Sequence, residues 1–128
     1  MNYYDIESNF RTCFFKEAND RPKPPNCNIG KFLPRSPSAF ADWDLYRATE
    51  RALDHVDYID RRYFVMMSIG MTGGTRYKEH EAIAHIHREC LLNNRPYSLH
   101  TIRERFNKHG LIKHQAELVR MVEVCAGQ

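Results

Sequence analysis

A chain of 128 residues, 42% hydrophobic and 27% charged, holds enough apolar material for one packed domain with an appendage, and its composition is neither disordered nor fibrous. No apolar run approaches the roughly 20 residues of a membrane span, and Met1 to Asp5 show neither a basic nor an apolar leader, so a cytoplasmic protein with four reduced cysteines is expected. The net charge of +3 hides an asymmetry. Residues 1–60 carry 8 Lys/Arg against 10 Asp/Glu, a balance of −2, whereas residues 61–128 carry 11 against 6, a balance of +5, with six of the seven histidines. A basic second half suits a polyanion, and nucleic acid is the expected one.

Residues 1–20 show a modest helical pattern, with Tyr4, Phe10, Phe14 and Phe15 among polar neighbours. So many aromatics are expected to dock, on the protein's own core in preference to a partner. Residues 21–37 hold five of the six prolines, which excludes a regular helix or central strand and predicts an extended connector. Its Arg21, Lys23, Lys31 and Arg35 have no acid between them. The segment reads as a solvated linker or as an arm along a phosphate backbone or partner groove.

Ser38 to about Met71 is the longest helical region, with Trp43, Tyr46, Leu53, Val56 and Tyr63 near helical spacing and Asp42 and Asp44 placed to favour the positive helix end. A break near Asp60 would leave Tyr58-Ile59 and Tyr63 to Met67 as a second apolar run, a fully buried helix or a strand. Asp54, Asp57 and Asp60 at i, i+3 and i+6 read as a solvated face mixed with Arg51, Arg61 and Arg62, and not as a metal or acid-base site. Ser68 to Thr75 is the glycine-rich turn, a hinge without the ending of a phosphate-binding loop.

Residues 80–125 contain three amphipathic segments, punctuated at Asn93–Pro96 and at His109-Gly110. Ile83, Ile86, Cys90 and Leu91 share one face of the first. Ser98 opens the second as an N-cap, Leu99, Ile102 and Phe106 form its apolar face, and Gly110 is expected to stop it. Leu111, Leu118, Val122 and Cys125 make the stripe of the third, with Lys113, His114, Gln115 and Arg120 outside it.

His80, His87 and Cys90 share a helix face, but the first lies about 10 Å along the axis from the second, too far for one ion. Short-loop zinc spacings are absent. His87 with Cys90 would need two further ligands, such as His109 or Cys125, so neither a metal nor a cofactor is expected. Cys90 beside His87 also lacks an identifiable orienting carboxylate or oxyanion hole, which makes a non-enzymatic protein the expectation.

The pattern Arg95-Pro96-Tyr97-Ser98-Leu99, then Ile102, Phe106 and Gly110, then a Leu- and Val-rich segment, resembles the second and third helices of helix-turn-helix and winged-helix regulators over about 45 residues. Arg103 stands where that family usually has a small residue, and Gly110 comes late. The order of the parts is also similar to bacteriophage late-gene regulators of the antiterminator type. The resemblance implies an all-α fold, with a small carboxyl-terminal β-wing as the alternative. It divides the chain into an aromatic segment and arm (1–37) and a helical domain (38–128) with the helix-turn-helix-like unit at 80–125. It further implies a DNA-binding transcription regulator with Arg103, Lys108, Lys113, Gln115 and Arg120 on the nucleic acid, and it leaves room for a homodimer. The alternative function is an adaptor or inhibitor of a nucleic-acid machine such as RNA polymerase, contacting it through the amino-terminal segment with Trp43 and Tyr46.

Overall fold

Asn2 accepts a hydrogen bond from the Tyr4 amide at 2.8 Å and so starts α1 (Tyr3–Asp20). The fold comes from a computed structural model that describes residues 1–20, 41–70 and 78–127. The proline-rich stretch 21–37 and residues 71–77 of the glycine-rich turn lie outside the described residues. Six helices make up the described chain: α1, α2 (Trp43–Leu53), α3 (Tyr58–Ile69), α4 (Glu79–Leu92), α5 (Leu99–Arg105) and α6 (Lys108–Ala126). The fold is all-α. Because Lys108 to Ala126 is one continuous helix, the β-wing alternative falls. No described helix is long and apolar enough to cross a membrane.

Two apolar clusters share α3 and α6. The first joins Tyr3, Ile6, Phe10 and Cys13 of α1 to Tyr46, Ala48, Ala52 and Leu53 of α2, Phe64 of α3, and Leu118, Val122 and Cys125 of α6. The second joins Ile59, Tyr63 and Met66 of α3 to Ala82, Ile83, Ile86 and Cys90 of α4, Ile102 of α5, and Phe106, with Leu111 of α6 against it. Helix α3 carries Asp60, Arg61 and Arg62 near its start and is apolar from Tyr63 to Met67, where it packs on both cores. Tyr63 stacks on Phe106 with centroids 3.9 Å apart, and Phe10 meets Phe64 and Tyr46 at 5.1 and 5.3 Å.

The amino-terminal aromatics dock on the protein's own core. Tyr3, Phe10 and Phe15 are buried, Phe14 is half-buried and Tyr4 is exposed. Asn9 fixes the entry to α2: its Nδ2 donates to the Asp42 carbonyl and its Oδ1 accepts from the Asp42 amide, each at 2.9 Å. Asp42 in turn N-caps α2 through the Leu45 amide. Two arginines cover helix carboxyl ends, Arg11 on the Ser68 and Ile69 carbonyls of α3 and Arg51 on the Cys125 carbonyl of α6.

The long central region does break near Asp60, at Asp54–Asp57, and Tyr58-Ile59 begin the second run as expected. Other expectations are corrected here. Leu91 faces solvent, because the buried stripe of α4 is Ala82, Ile83, Ile86 and Cys90 and position 91 lies off it. Gly110 does not end the second helix. Phe106 and Asn107 form the whole joint between α5 and α6, and Gly110 sits in the first turn of α6, where its amide donates to Asn107 Oδ1 at 2.8 Å. A Cβ at Gly110 would lie 2.2 Å from the Arg105 carbonyl oxygen, so glycine is needed there for the close approach of α5. Gly70 ends α3 at φ 82°, a backbone region that suits glycine.

Candidate nucleic-acid interface

The α5–α6 pair is positioned by local caps and by one buried polar cluster. Ser98 Oγ accepts from the Thr101 amide at 3.1 Å and starts α5, and Asn107 starts α6. Arg105, at the end of α5, turns inward to α3. Its Nε and Nη2 donate to Asp60 Oδ1 and Oδ2 at 3.2 and 2.7 Å, and Nη2 also meets Asp57 Oδ2 at 2.5 Å. His114 of α6 reaches the same Asp60 Oδ1 through Nδ1 at 3.0 Å. A carboxylate only accepts, so the imidazole proton lies on Nδ1. Burial alone would raise the Asp60 pKa, but the hydrogen bonds from His114 and Arg105 outweigh it and hold the group below the usual carboxylate range. The same pairing raises the Arg105 pKa, first through its hydrogen bond to Asp60.

Two expectations about this region are therefore corrected. The Asp54–Asp57–Asp60 row is a solvated face only in part: Asp54 and Asp57 are exposed, but Asp57 and Asp60 bind Arg105, and the Asp60 side chain is only 13% exposed. His114 does not belong to the outer face of α6. Its side chain is 1% exposed and its ring is enclosed edge-on by Tyr3, Tyr63 and Phe106 at 5.3–5.8 Å. It continues the Leu111–Leu118–Val122–Cys125 stripe, at helical spacing between the first two.

Two grooves both include Asn107, and the second has the cluster in its wall. The one between α4 and α5 is lined by His80, Ala84, Leu99, Arg103 and Phe106, and the one between α5 and α6 by Arg105, His109, Lys113, His114 and Glu117. The second has a volume of about 530 Å³. Arg103, Lys108 and Lys113 are exposed, and no carboxylate among the described residues pairs with any of them. Arg103 lines the first groove and Lys113 the second, with Lys108 at the start of α6 between them in the chain.

Gln115 and Arg120 lie elsewhere on α6. Gln115 is half-buried on a shallow groove beside Met1 and Val119. Arg120 lies two turns beyond Lys113, and its guanidinium is taken by Glu117, with Nη2 to Oε1 at 2.6 Å and Nε to Oε2 at 3.2 Å.

The chain matches no family model, no curated protein and no solved structure.

Of the two residues expected on a protein partner, Trp43 is 39% exposed, whereas Tyr46 is 6% exposed and packs between Phe10 and Trp43. Cys13, Cys90 and Cys125 are buried free thiols, and burial raises the Cys13 and Cys90 pKa values, disfavouring the thiolate. The described residues contain no group of three His, Cys, Asp or Glu side chains able to hold a metal ion. Sequence reasoning missed His109, which is exposed beside Lys113, and the inward turn of Arg105. His109 was readable as an exposed position on the α6 wheel once the helix start at Asn107 is known. Nothing local marks Arg105, since its partner lies 45 residues away.

Proposed function

We propose that this protein binds nucleic acid without chemistry of its own, engaging duplex DNA through α5 and the first half of α6 as a small cytoplasmic transcription regulator. The observation that carries the reading is the set of three exposed cations, Arg103, Lys108 and Lys113, unpaired with any described carboxylate and flanking one two-residue joint in the chain. The neighbouring Arg105 is consumed in holding that joint to α3, so it contributes position and not contact. In α6, the amino-terminal turns expose Lys108, His109, Ile112 and Lys113 opposite the buried stripe. That is the end of a recognition helix that reads base edges in helix-turn-helix proteins, with Arg and Lys serving the phosphates.

The test is anisotropy of a labelled duplex about two helical turns long, titrated between low and physiological salt. Binding weakens steeply with salt, and Arg103→Ala, Lys108→Ala and Lys113→Ala each lower the log–log salt slope by about 0.9. Arg120→Ala, whose guanidinium already has a carboxylate, changes the slope less. Wild-type affinity in the triple variant at every salt concentration rejects the reading. The reading as an adaptor for RNA polymerase or another protein of a nucleic-acid machine draws on exposed Tyr4 and Trp43, the other aromatics of α1 and α2 being buried or half-buried.

A further inference from the structure

A second surface, at the corner where the start of α3 meets the end of α4, is built for a different kind of ligand. Tyr58 opens α3, and its ring carries the Arg95 guanidinium at 4.0 Å and the Arg61 guanidinium at 5.7 Å from its centroid. Its hydroxyl donates to Glu89 Oε2 at 2.9 Å, and Glu89 also accepts from Arg62 Nε and Nη2, each at 3.0 Å. The one carboxylate of this group is thereby spent on Arg62 and Tyr58. Arg61 and Arg95 are left with an aromatic face as partner, and Arg88 has no ion-pair partner among the described residues.

Beside these cations the last turn of α4 exposes two adjacent leucines, Leu91 at 63% and Leu92 at 77%. Arg88 lies three and four positions before them, on the same helix face. The corner is also held in shape. The Arg95 amide donates to the Cys90 carbonyl at 2.8 Å, Asn93 Nδ2 donates to the Glu89 carbonyl at 2.9 Å, and Asn94 takes a positive φ of 55° to turn the chain. Binding here would cost little ordering of the backbone.

Cations without carboxylates call for an anionic ligand, but a phosphate backbone has no use for two neighbouring leucines. A polypeptide bearing both carboxylates and apolar side chains satisfies both features, and Arg and Tyr are typical anchors of such contacts. We infer that the Tyr58–Leu92–Arg95 corner is the docking surface for an acidic amphipathic segment of a protein partner, with Leu91 and Leu92 as apolar anchors and Arg61, Arg88 and Arg95 meeting its carboxylates. The inference does not rest on DNA binding. No residue of the corner lines either groove at Asn107, so the two faces are separate.

The probe is a fluorescein-labelled synthetic helical peptide with leucines on one face and glutamates on the other, titrated against the full chain. A matched peptide with lysine in place of glutamate and a labelled DNA duplex serve as the other arms. The acidic peptide binds saturably, and its lysine counterpart binds at least about tenfold more weakly. Leu91→Ser with Leu92→Ser, and Arg88→Ala with Arg95→Ala, each weaken binding roughly tenfold or more. All four positions are exposed, so circular dichroism and melting stay near wild type. Arg103→Ala and Lys113→Ala leave peptide binding unchanged, which separates this surface from the one proposed for DNA. Absence of saturable peptide binding overturns the inference, as does equal binding by the leucine double variant. Duplex binding that falls in the arginine variant but not in the leucine variant also overturns it and assigns the corner to nucleic acid.

Discussion

Asp60 is the residue on which the arrangement of α5 and α6 turns. One carboxylate accepts from Arg105 and from His114 and so ties two helices to α3. Asp60→Ala leaves the enclosed His114 ring with no partner for Nδ1 and Arg105 with Asp57 alone. Removing one member of a buried pair costs about 3–5 kcal/mol, and the lower end applies because Arg105 is 35% exposed. A denaturant melt should show the midpoint falling at unchanged m; a loss below about 0.5 kcal/mol, the range of an ordinary surface change, would contradict the role.

The same carboxylate makes stability depend on pH. Asp60 and Glu89 have ordinary pKa values near 3.8 and 4.5, and both are lowered in the folded protein. In each case burial pushes upward and is outweighed, for Glu89 by the hydrogen bonds from Arg62 and Tyr58. In acid the unfolded chain therefore binds these protons before the folded one does. Their contribution is complete above the ordinary values and is lost as pH falls through the depressed ones. The acid limb of a melting-temperature profile should be shallower in Asp60→Asn than in wild type; parallel limbs would show that Asp60 is not its source.

At the scale of elements, the joint of α5 and α6 depends on Asn107 as cap and Gly110 as gap. The Asn107 side chain holds the Gly110 amide, and Gly110 allows the Arg105 carbonyl to approach. Asn107→Ala should cost about 1 kcal/mol, the usual value of an N-cap. Gly110→Ala should cost more, about 2 kcal/mol, despite the higher helix propensity of alanine. The added methyl meets backbone, which cannot swing aside as a side chain can. Thermal melts order the two variants, and a neutral or stabilising Gly110→Ala would mean that α5 and α6 do not pack so closely. If the DNA reading holds, this variant also weakens duplex binding without touching a cation.

For the whole molecule, α1 is a structural part and not an appendage. Its Tyr3, Ile6, Phe10 and Cys13 supply one wall of the first core. Three of these are large, and burying each is worth about 1.5–3 kcal/mol. Their sum is comparable with the roughly 5–15 kcal/mol net stability of a typical domain. A chain lacking residues 1–18 should lose its sharp unfolding transition in near-UV circular dichroism. A cooperative transition in that shortened chain would instead establish residues 38–128 as a domain able to stand alone.

What the sequence determined by itself is whatever depends on neighbours within a turn or two. Apolar residues at helical spacing mark the helices and Ser98 marks the start of α5, whereas the run Tyr63–Met67 reads only as a buried element, helix or strand, until α3 is seen. Charge totals place the cations in the second half, but they do not say which remain available. That was decided by contacts between positions far apart in the chain. Arg105 is withdrawn by aspartates 45 and 48 residues away, whereas Arg103 and Lys113 find no carboxylate among the described residues. His114 is buried because α1 and α3 close over it, and Leu91 is exposed because nothing described covers that side of α4. Helix periodicity and capping are short-range and therefore written locally; the pairing of charges and the covering of faces depend on which helices meet, and only the folded chain settles that.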